Sequence, residues 1–306
     1  MNSTKQKSVV TGGAGFIGSN LASVLVTEGY EVHVVDNLSG GKRENVPAGA
    51  VFHEMDINDT PALAEIFADA RYVFHLAALP RVPYSIEHPQ ETNHANVDGT
   101  LSVLAAAKDA QVSRVVYSAS SSAYGNQDTM PLREDMPAHP ISPYGLQKYV
   151  GELYCRLFSE VYGLPTVCLR YFNVYGPGAS AEGAYALVIA KFLKQRLEGG
   201  PMTVTGDGTQ TRDYTHVRDV VRANLLAAQS AHVGKGEEAV NIGAGKNASV
   251  NKVAELIGGP VEHIAPRLEP HDTLADNSLA KQLLSWAPQV SLEEGIAELK
   301  KLANLP

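Results

Sequence analysis

A tyrosine and a lysine stand four residues apart in the segment Tyr144-Gly145-Leu146-Gln147-Lys148. Positions i and i+4 share one face of a helix, so the phenol and the amine would point at the same spot. A phenol with a pKa near ~10 is a poor base at neutral pH, and lowering that pKa to ~7 requires roughly 4 kcal/mol of preference for the phenolate. A neighbouring ammonium supplies part of this preference. The pair therefore indicates a general base and its electrostatic partner.

The serine-rich segment Ser118-Ala119-Ser120-Ser121-Ser122-Ala123-Tyr124-Gly125 lies at the end of a predicted strand. In open α/β sheets, ligands bind outside the carboxyl ends of the strands. A serine at this place can hydrogen-bond a reacting hydroxyl and pass its proton to Tyr144. A lone Tyr-x-x-x-Lys pair would be interpreted as a surface pair. The serine segment is what favours a catalytic one.

A glycine-rich turn, Thr11-Gly12-Gly13-Ala14-Gly15-Phe16-Ile17-Gly18, follows the first predicted strand and opens the first predicted helix. Glycines let the backbone approach a pyrophosphate closely, and the helix N-terminus offers unpaired N–H groups and a favourable dipole. Glycine-rich turns are common, but the strand before this one and the helix after it provide the context that the motif requires. The turn predicts a dinucleotide site.

Asp36 ends the second predicted strand, 18 residues after the last glycine of that motif. A carboxylate there can hydrogen-bond the adenosine ribose hydroxyls and repel a 2′-phosphate, which favours NAD over NADP. Lys42 and Arg43 would favour NADP, but they follow a Ser-Gly-Gly turn and are expected on the surface. Other predicted cofactor contacts follow the second, third and fourth strands, where plain strand-end loops are the alternative: Asn37, Asp56, Ile57, Leu76, Ala77 and Ala78.

These residues must be positioned by the elements between them, and β-branched runs alternate with helical stretches over about the first 170 residues. This alternation predicts an α/β fold with a doubly wound parallel sheet. The predicted strands are Ser8–Thr11, Glu31–Val35, Val51–Glu54, Tyr72–Leu76, Arg114–Ser120 and Thr166–Arg170, with Ala239–Ile242 returning to the same sheet. The predicted helices are Ile17–Glu28, Pro61–Ala68, Glu91–Ala110 and Tyr144–Tyr162.

Glycine and proline become frequent after Arg170, and the alternation breaks up. We therefore expect an NAD-binding Rossmann domain of residues 1–172, with a strand returning near 238–244. Residues 173–237 and 245–306 are expected to form a smaller α+β substrate lobe. The helices Glu91–Ala110 and Tyr144–Tyr162 carry more apolar residues than one packed face requires, which favours a subunit interface over two ordinary buried helices.

The composition excludes several classes of protein. The 306 residues are 44% hydrophobic and 19% charged, with a formal net charge of −8, and this acidic balance argues against a nucleic-acid binder. Cys155 and Cys168 form no CxxC pattern, and the ten histidines, including His216 and His271, are scattered, so we expect neither a disulfide scaffold nor a metal site. No signal peptide and no apolar run near the ~18 residues of a membrane span were found, so a soluble, cytoplasmic protein is expected.

In combination, the glycine turn, Asp36, the serine segment and Tyr-x-x-x-Lys resemble the extended short-chain dehydrogenase/reductase family. The segments Asn93–Thr100, Leu169–Gly176 and Gly206–Tyr214 are similar to those of UDP-glucose 4-epimerases and their UDP-N-acetylglucosamine 4-epimerase relatives. The likeness runs over almost the full chain. It implies an isomerase that uses tightly bound NAD to invert C4 of a UDP-hexose through a transient 4-keto sugar, and a homodimer built on a four-helix bundle.

The resemblance also implies roles for single residues. Ser120, Tyr144 and Lys148 fall at the catalytic positions. The implied cofactor contacts are Gly12, Gly15, Phe16, Ile17, Gly18, Asp36, Asn37, Asp56, Ile57, Leu76, Ala77, Ala78, Asn96, Ser118, Tyr144, Lys148 and Tyr171. The implied substrate contacts are Ser120, Ser121, Ser122, Tyr144, Asn173, Leu187, Val188, Thr203, Arg212, Arg267 and Thr273.

Relatives with other reactions differ just after the catalytic serine. Nucleotide-sugar 4,6-dehydratases have Asp-Glu there and UDP-glucuronate decarboxylases a glutamate, whereas this chain has Ser121 and Ser122. UDP-glucuronate 4-epimerase shares the Ser and Tyr-x-x-x-Lys set and stays open. A non-catalytic NAD-sensing protein would have no reason to keep that set. Thr273 is small where glucose-restricted epimerases resemble one another in having tyrosine, so UDP-N-acetylhexosamines are expected as substrates beside UDP-glucose and UDP-galactose.

Overall fold

The computed structural model describes residues 5–80, 82–181, 187–235, 239–265 and 272–305. The strands are β1 (Lys7–Thr11), β2 (Glu31–Asp36), β3 (Val51–Glu54), β4 (Ala70–His75), β5 (Arg114–Ser120), β6 (Thr166–Tyr171), β7 (Val174–Tyr175), β8 (Met202–Thr205), β9 (Thr211–Asp213), β10 (Thr215–His216), β11 (Ala239–Ile242), β12 (Asn247–Ser249) and β13 (Val261–Ile264). The helices are α1 (Phe16–Thr27), α2 (Thr60–Phe67), α3 (Val82–Glu87), α4 (Pro89–Asn93), α5 (Gly99–Asp109), α6 (Pro143–Tyr162), α7 (Val188–Leu197), α8 (Val217–Gln229), α9 (Val250–Ile257), α10 (Ser278–Leu284) and α11 (Leu292–Leu302).

The main sheet has seven strands within the described ranges, in the order β11-β6-β5-β4-β1-β2-β3. All of its pairings are parallel. Strands buried on both faces need near-continuous apolar runs, and these runs are what the sequence shows. The predicted doubly wound sheet and its returning strand β11 are confirmed. The order in which the strands follow one another across the sheet reverses between β1 and β4. The carboxyl ends of these two strands therefore border the crevice where such sheets bind ligands.

A hydrophobic core lies on each face of this sheet. One face packs against α1 and α8, and includes Leu21, Val220 and Trp286. The other packs against α2, α5 and α6, where Phe67 and Tyr117 are fully buried. The two cores together hold the strands rigidly, so their carboxyl ends form a fixed platform.

The predicted helix Glu91–Ala110 is wrong in one respect. Helix α4 is followed by a π-helical turn, His94–Asp98, before α5 begins at Gly99. The extra residue of a π turn displaces the local side chains, and such turns often occur at functional sites. Thr100 Oγ donates a hydrogen bond of 2.6 Å to the carbonyl of Asn96, which helps to hold the turn. Asn96, within this turn, is buried.

The other strands after β6, apart from β11, form a smaller layer of short two-stranded sheets: β7 with β10, β8 with β13, and β9 with β12. Helices α7, α9 and α11 cover them around a separate core that includes Phe192, Val253 and Ile296. Among the described helices, none is long and apolar enough to span a membrane.

Candidate active site

Helix α6 carries Tyr144 and Lys148 on consecutive turns, as predicted. Ser142 caps the helix by accepting from the Gly145 N–H at 3.1 Å, and Pro143 occupies the first turn, where its missing N–H costs nothing. The N–H of Tyr144 donates to Ser85 Oγ of α3 at 3.1 Å. The start of the helix is therefore fixed by contacts from two directions.

Lys148 lies deep beside the end of β5. Its side chain donates to the Ser118 carbonyl at 2.8 Å, and its Nζ lies 4.9 Å from the ring centre of Tyr117. Burial lowers the pKa of Lys148 to about 8. At neutral pH it is still mainly an ammonium, and a charge shielded so little by water acts strongly on neighbouring groups.

The serine segment closes over the start of α6. Ser120 ends β5, and its Oγ accepts from the Ser122 N–H at 3.1 Å within the single helical turn Ser121–Ala123. A Cβ added at Gly145 would lie 2.6 Å from the Ser122 carbonyl oxygen. Only a glycine permits this approach of the catalytic helix to the serine turn. Sequence reasoning missed Gly145, although it stands directly after Tyr144.

The glycine turn packs against the segment that follows β4. Gly12 has a φ of +71°, and a Cβ there would lie 2.6 Å from the Ala77 nitrogen. The Leu76 N–H donates to the Thr11 carbonyl at 3.1 Å. Helix α1 then begins at Phe16, and no side chain of the described chain caps its N-terminus at Gly15. These N–H groups form a cradle suited to an anionic pyrophosphate.

Asp36 is anchored against this turn. Its Oδ2 accepts from the Ala14 N–H at 3.0 Å and its Oδ1 from the Leu38 N–H at 2.8 Å. Each carboxylate oxygen retains a lone pair for a ribose hydroxyl. Lys42 and Arg43 are exposed, as expected, and Arg43 pairs with Glu54 at 3.2 Å.

The other predicted cofactor residues take different positions. Asn37 Nδ2 lies 3.5 Å from Asp56 Oδ2, so these two residues adjoin at the ends of β2 and β3. The Ile57 side chain is buried in the core under α5. Tyr171 is the strand partner of Ser120, but its hydroxyl donates to Asn224 Oδ1 of α8 at 2.9 Å. The side chains of Ile57 and Tyr171 thus pack in the protein interior.

His75, which sequence reasoning missed, links three segments of the site. Its Nε2 lies 3.0 Å from Thr100 Oγ and its Nδ1 lies 2.8 Å from Thr11 Oγ. Because Thr100 donates to the Asn96 carbonyl, it must accept from Nε2–H, and Nδ1 must accept from Thr11. Burial, with a smaller effect of Lys148, lowers the pKa of His75 to about 3. The imidazole is therefore neutral, with a single tautomer. Its position directly before Leu76-Ala77-Ala78 was the available signal.

A cavity of about 280 Å³ opens beside the carboxyl end of β6. Five of the predicted substrate residues line it: Asn173, Leu187, Val188, Thr203 and Arg212. Sequence reasoning missed five polar lining residues, Tyr175, Lys191, Thr205, Gln210 and Tyr214. Gln210 and Tyr214 lie within the family-like segment Gly206–Tyr214 and Tyr175 within Leu169–Gly176, so those segments held the available signal. Lys191 and Thr205 lie outside the quoted motifs.

Thr273 contacts one of the residues that line this cavity. Its Oγ accepts from Asn173 Nδ2 at 3.1 Å and from the Asp213 N–H at 3.3 Å. Asp213 is itself buried, and its carboxylate accepts from the N–H groups of Ala244, Gly245 and Ala275 at 2.7–3.0 Å. Burial raises the pKa of Asp213 to about 6. Arg267, His271 and the segment 183–186 lie outside the described residues.

Residues 8–243 match the model of the NAD dependent epimerase/dehydratase family. The chain belongs to this family. It is similar to UDP-glucose 4-epimerase of Thermotoga maritima, solved with UDP-glucose, at 40% identity and a TM-score of 0.91, covering 97% of this chain and 99% of that one. It is also similar to UDP-N-acetylglucosamine 4-epimerase of Methanobrevibacter ruminantium, in complex with UDP-N-acetylmuramic acid, at 35% identity and a TM-score of 0.91, covering 98% and 100%. UDP-glucuronic acid 4-epimerase of Bacillus cereus, in complex with UDP-glucuronic acid and NAD, is 32% identical with a TM-score of 0.89, covering 98% and 99%.

NAD is the cofactor of this family member, and the residues of the site fit it. The uncapped start of α1 suits the pyrophosphate, and Asp36 suits an unphosphorylated ribose. Within the described ranges, no group of three or more His, Cys, Asp or Glu residues is arranged to hold a metal ion.

Proposed function

We propose that the protein is an NAD-dependent epimerase that inverts C4 of a UDP-hexose. The observation that carries this proposal is the packing of the start of α6, at Tyr144, against the serine turn that follows Ser120, while Lys148 of the same helix bonds to the end of β5. The glycine turn lies on one side of that point and the cavity of Asn173 and Arg212 on the other. A UDP-sugar between them would present its sugar to Tyr144.

In the proposed reaction Tyr144 takes the proton of the C4 hydroxyl, with Ser120 bridging the two groups. Lys148 stabilises the phenolate through its buried charge. NAD, when bound, supplies the reversible oxidation at C4. Ser120 and Tyr144 return the proton after the keto sugar has turned over, because the same two groups face either orientation of C4.

The keto sugar can turn over within the site only if the rest of the substrate stays bound at a fixed point. We propose that Arg212 and Asn173 hold the diphosphate, since a guanidinium meets phosphate oxygens bidentately. Residues 1–172 with 238–244 would then bind the cofactor, and 173–237 with 245–306 would bind the nucleotide sugar. Leu187, Val188 and Thr203 line the part of the cavity that would receive the nucleoside.

We infer that the substrate range includes UDP-N-acetylhexosamines beside UDP-glucose and UDP-galactose. Thr273 contacts Asn173, which lines the cavity, and a threonine here would leave room for an acetamido group that the larger side chain of a tyrosine would fill. UDP-glucuronate is the alternative, because a uronate uses the same Ser120 and Tyr144. Dehydration is disfavoured because Ser121 and Ser122 offer no carboxylate.

The test is direct incubation of the purified protein with UDP-galactose, UDP-N-acetylgalactosamine and UDP-glucuronate in separate reactions. Chromatography of the products should reveal UDP-glucose and UDP-N-acetylglucosamine without added NAD, because the tightly bound cofactor is regenerated in each turnover. Conversion of UDP-glucuronate alone would favour the alternative substrate. No conversion of any of the three would overturn the proposal.

We further propose a homodimer in which α5 and α6 pair with their copies in a four-helix bundle. Four exposed aliphatic residues of α6, Leu146, Leu153, Leu157 and Val161, follow one another at helical spacings of seven, four and four. That spacing forms one stripe, whereas Lys148 and Cys155 are buried on the opposite face. Helix α5 adds Leu101 to the exposed apolar surface.

A further inference from the structure

Gln147 is buried between the two catalytic residues of α6, with 3% of its surface exposed. Its Oε1 accepts from Asn96 Nδ2 at 2.8 Å, and its Nε2 donates to Thr92 Oγ at 3.0 Å. The Thr92 hydroxyl in turn donates to the His88 carbonyl at 3.0 Å. A glutamine therefore ties the catalytic helix to α4 and to the π-helical turn.

Asn96 continues the chain of hydrogen bonds to the segment after β4. Its Nδ2 also donates to the Leu79 carbonyl at 3.2 Å, and its Oδ1 accepts from the Leu79 N–H at 2.8 Å. Both N–H groups of the Asn96 amide are used, so the orientation of each amide in the pair follows from its partners. Nothing in this network can rotate without leaving a buried donor or acceptor unpaired.

The network connects the two parts of the site that must be aligned for the reaction, the cofactor cradle and the catalytic helix. Leu79 directly follows Leu76-Ala77-Ala78, the segment that packs on the glycine turn at Gly12. Gln147 stands one residue before Lys148 and three after Tyr144, on the side of α6 that packs on the π turn. The path Leu79–Asn96–Gln147 is thus a direct polar link between the cofactor cradle and the catalytic helix.

We propose that Gln147 is a positioning residue that fixes the Tyr144–Lys148 face of α6 against the cofactor cradle. For its kinetic consequences this inference rests on the proposed epimerase function. An error of about 1 Å in such an alignment can cost roughly 100-fold in rate. The contacts of Gln147 leave the sugar cavity untouched, so substrate affinity should not depend on it.

The test compares Gln147→Leu with Thr166→Val. Leucine approximates the size of glutamine but removes both hydrogen-bonding atoms. Thr166 is buried at the far end of β6, where its hydroxyl donates to the Cys155 carbonyl of the same helix α6 at 2.8 Å, so its variant also removes one buried tie to α6. Gln147→Leu should lower kcat by about 10- to 100-fold with KM changed by less than about twofold. Thr166→Val should change neither constant, although both variants should lower Tm.

Exchange of the bound nucleotide for added NADH, followed by fluorescence titration, gives an apparent Kd that does not depend on sugar turnover. Gln147→Leu should raise the Kd for NADH by at least about fivefold, or roughly 1 kcal/mol, and Thr166→Val should leave it unchanged. If wild type converts no UDP-hexose, the proposed function fails, but this titration still tests whether Gln147 positions the catalytic helix against the cofactor cradle. Equal NADH affinity in wild type and Gln147→Leu would overturn the inference.

Thr92 provides a second pair of variants in case Gln147→Leu does not fold. Thr92→Ser keeps the hydroxyl that receives the Gln147 amide, and Thr92→Val removes it. We expect Thr92→Val to lower kcat and to raise the Kd for NADH, in each case by less than Gln147→Leu does. Thr92→Ser should behave as wild type. Identical kcat and NADH affinity in Thr92→Val and Thr92→Ser would overturn the inference even if Gln147→Leu cannot be studied.

Discussion

Lys148 keeps its charge where water hardly reaches it, with only 2% of its surface exposed. The Ser118 carbonyl and the Tyr117 ring offset part of the cost of burial, and the lowered pKa of Lys148 reflects the remainder. Because so little water screens its charge there, the ammonium stabilises a neighbouring phenolate far more than it would in water. The Tyr-x-x-x-Lys spacing could be recognised in the sequence, but the depth of the lysine could not, because β5 and α6 create it jointly.

The role of Tyr144 can be tested by removing one oxygen atom. Tyr144→Phe should lower kcat by about 10²- to 10⁴-fold, the usual contribution of a general acid–base group. Tm and NADH affinity should stay near those of wild type, because the ring is retained. Tyr149→Phe on the same helix is the matched control and should retain full activity. A Tyr144→Phe enzyme within about threefold of wild type would contradict the assignment.

His75 makes the stability of the fold sensitive to acid. Its folded-state pKa of about 3 lies below the ~6.5 of an unfolded histidine, so the unfolded chain binds more protons between these values. Stability is therefore lost as pH falls through that window, by about 2 kcal/mol between pH 7 and pH 5. Urea unfolding at several pH values should show this dependence in wild type and lose it in His75→Gln.

The exposed His232 provides the control for this measurement. His232→Gln should keep the wild-type pH dependence. An unchanged slope in His75→Gln would mean that the buried imidazole is not the group that responds to acid.

At the scale of elements, the alternation of apolar runs located each strand of the main sheet to within about two residues, because strands buried on both faces leave a strong local pattern. The π-helical turn at Asn96 could not be foreseen in this way. It depends on hydrogen bonds to Leu79 and Gln147, which are distant in sequence. The shape of the cavity could not be predicted from the sequence either, although the family resemblance supplied five of its lining residues.

The segment at Thr273 is the element that should set the sugar range. Thr273→Tyr should depress turnover of UDP-N-acetylhexosamines at least about tenfold, or ~1.4 kcal/mol, by filling the space for the acetamido group. Turnover of UDP-glucose should change little. Parallel kcat/KM measurements on both substrates test this.

The substitution also removes the hydroxyl that accepts from Asn173 and from the Asp213 N–H. Thr273→Val removes the same acceptor without adding bulk and so separates the two effects. Equal losses on both substrates in Thr273→Tyr and Thr273→Val would show that the hydrogen bonds matter, and that Thr273 is not a steric gate.

At the scale of the whole molecule, the apolar stripe of α6 should determine the oligomeric state. Leu157, 46% exposed, lies in the middle of the stripe, and a buried, unpaired carboxylate there is costly. Leu157→Glu should therefore convert a dimer into a monomer in light scattering at micromolar concentration. Leu197→Glu changes an equally apolar, 59% exposed residue of α7 and should remain dimeric. A wild-type monomer would refute the interface.

Strand β11 completes the main sheet only after the chain has left β6 and traversed β7–β10 and helices α7 and α8. During synthesis, β6 therefore remains an open edge with unpaired backbone groups until residues 239–242 leave the ribosome. Exposed edges of this kind invite pairing with other chains. A chain truncated before β11 should thus aggregate even though it contains the glycine turn, Ser120 and Tyr144, and chaperones would be needed most during this interval of translation.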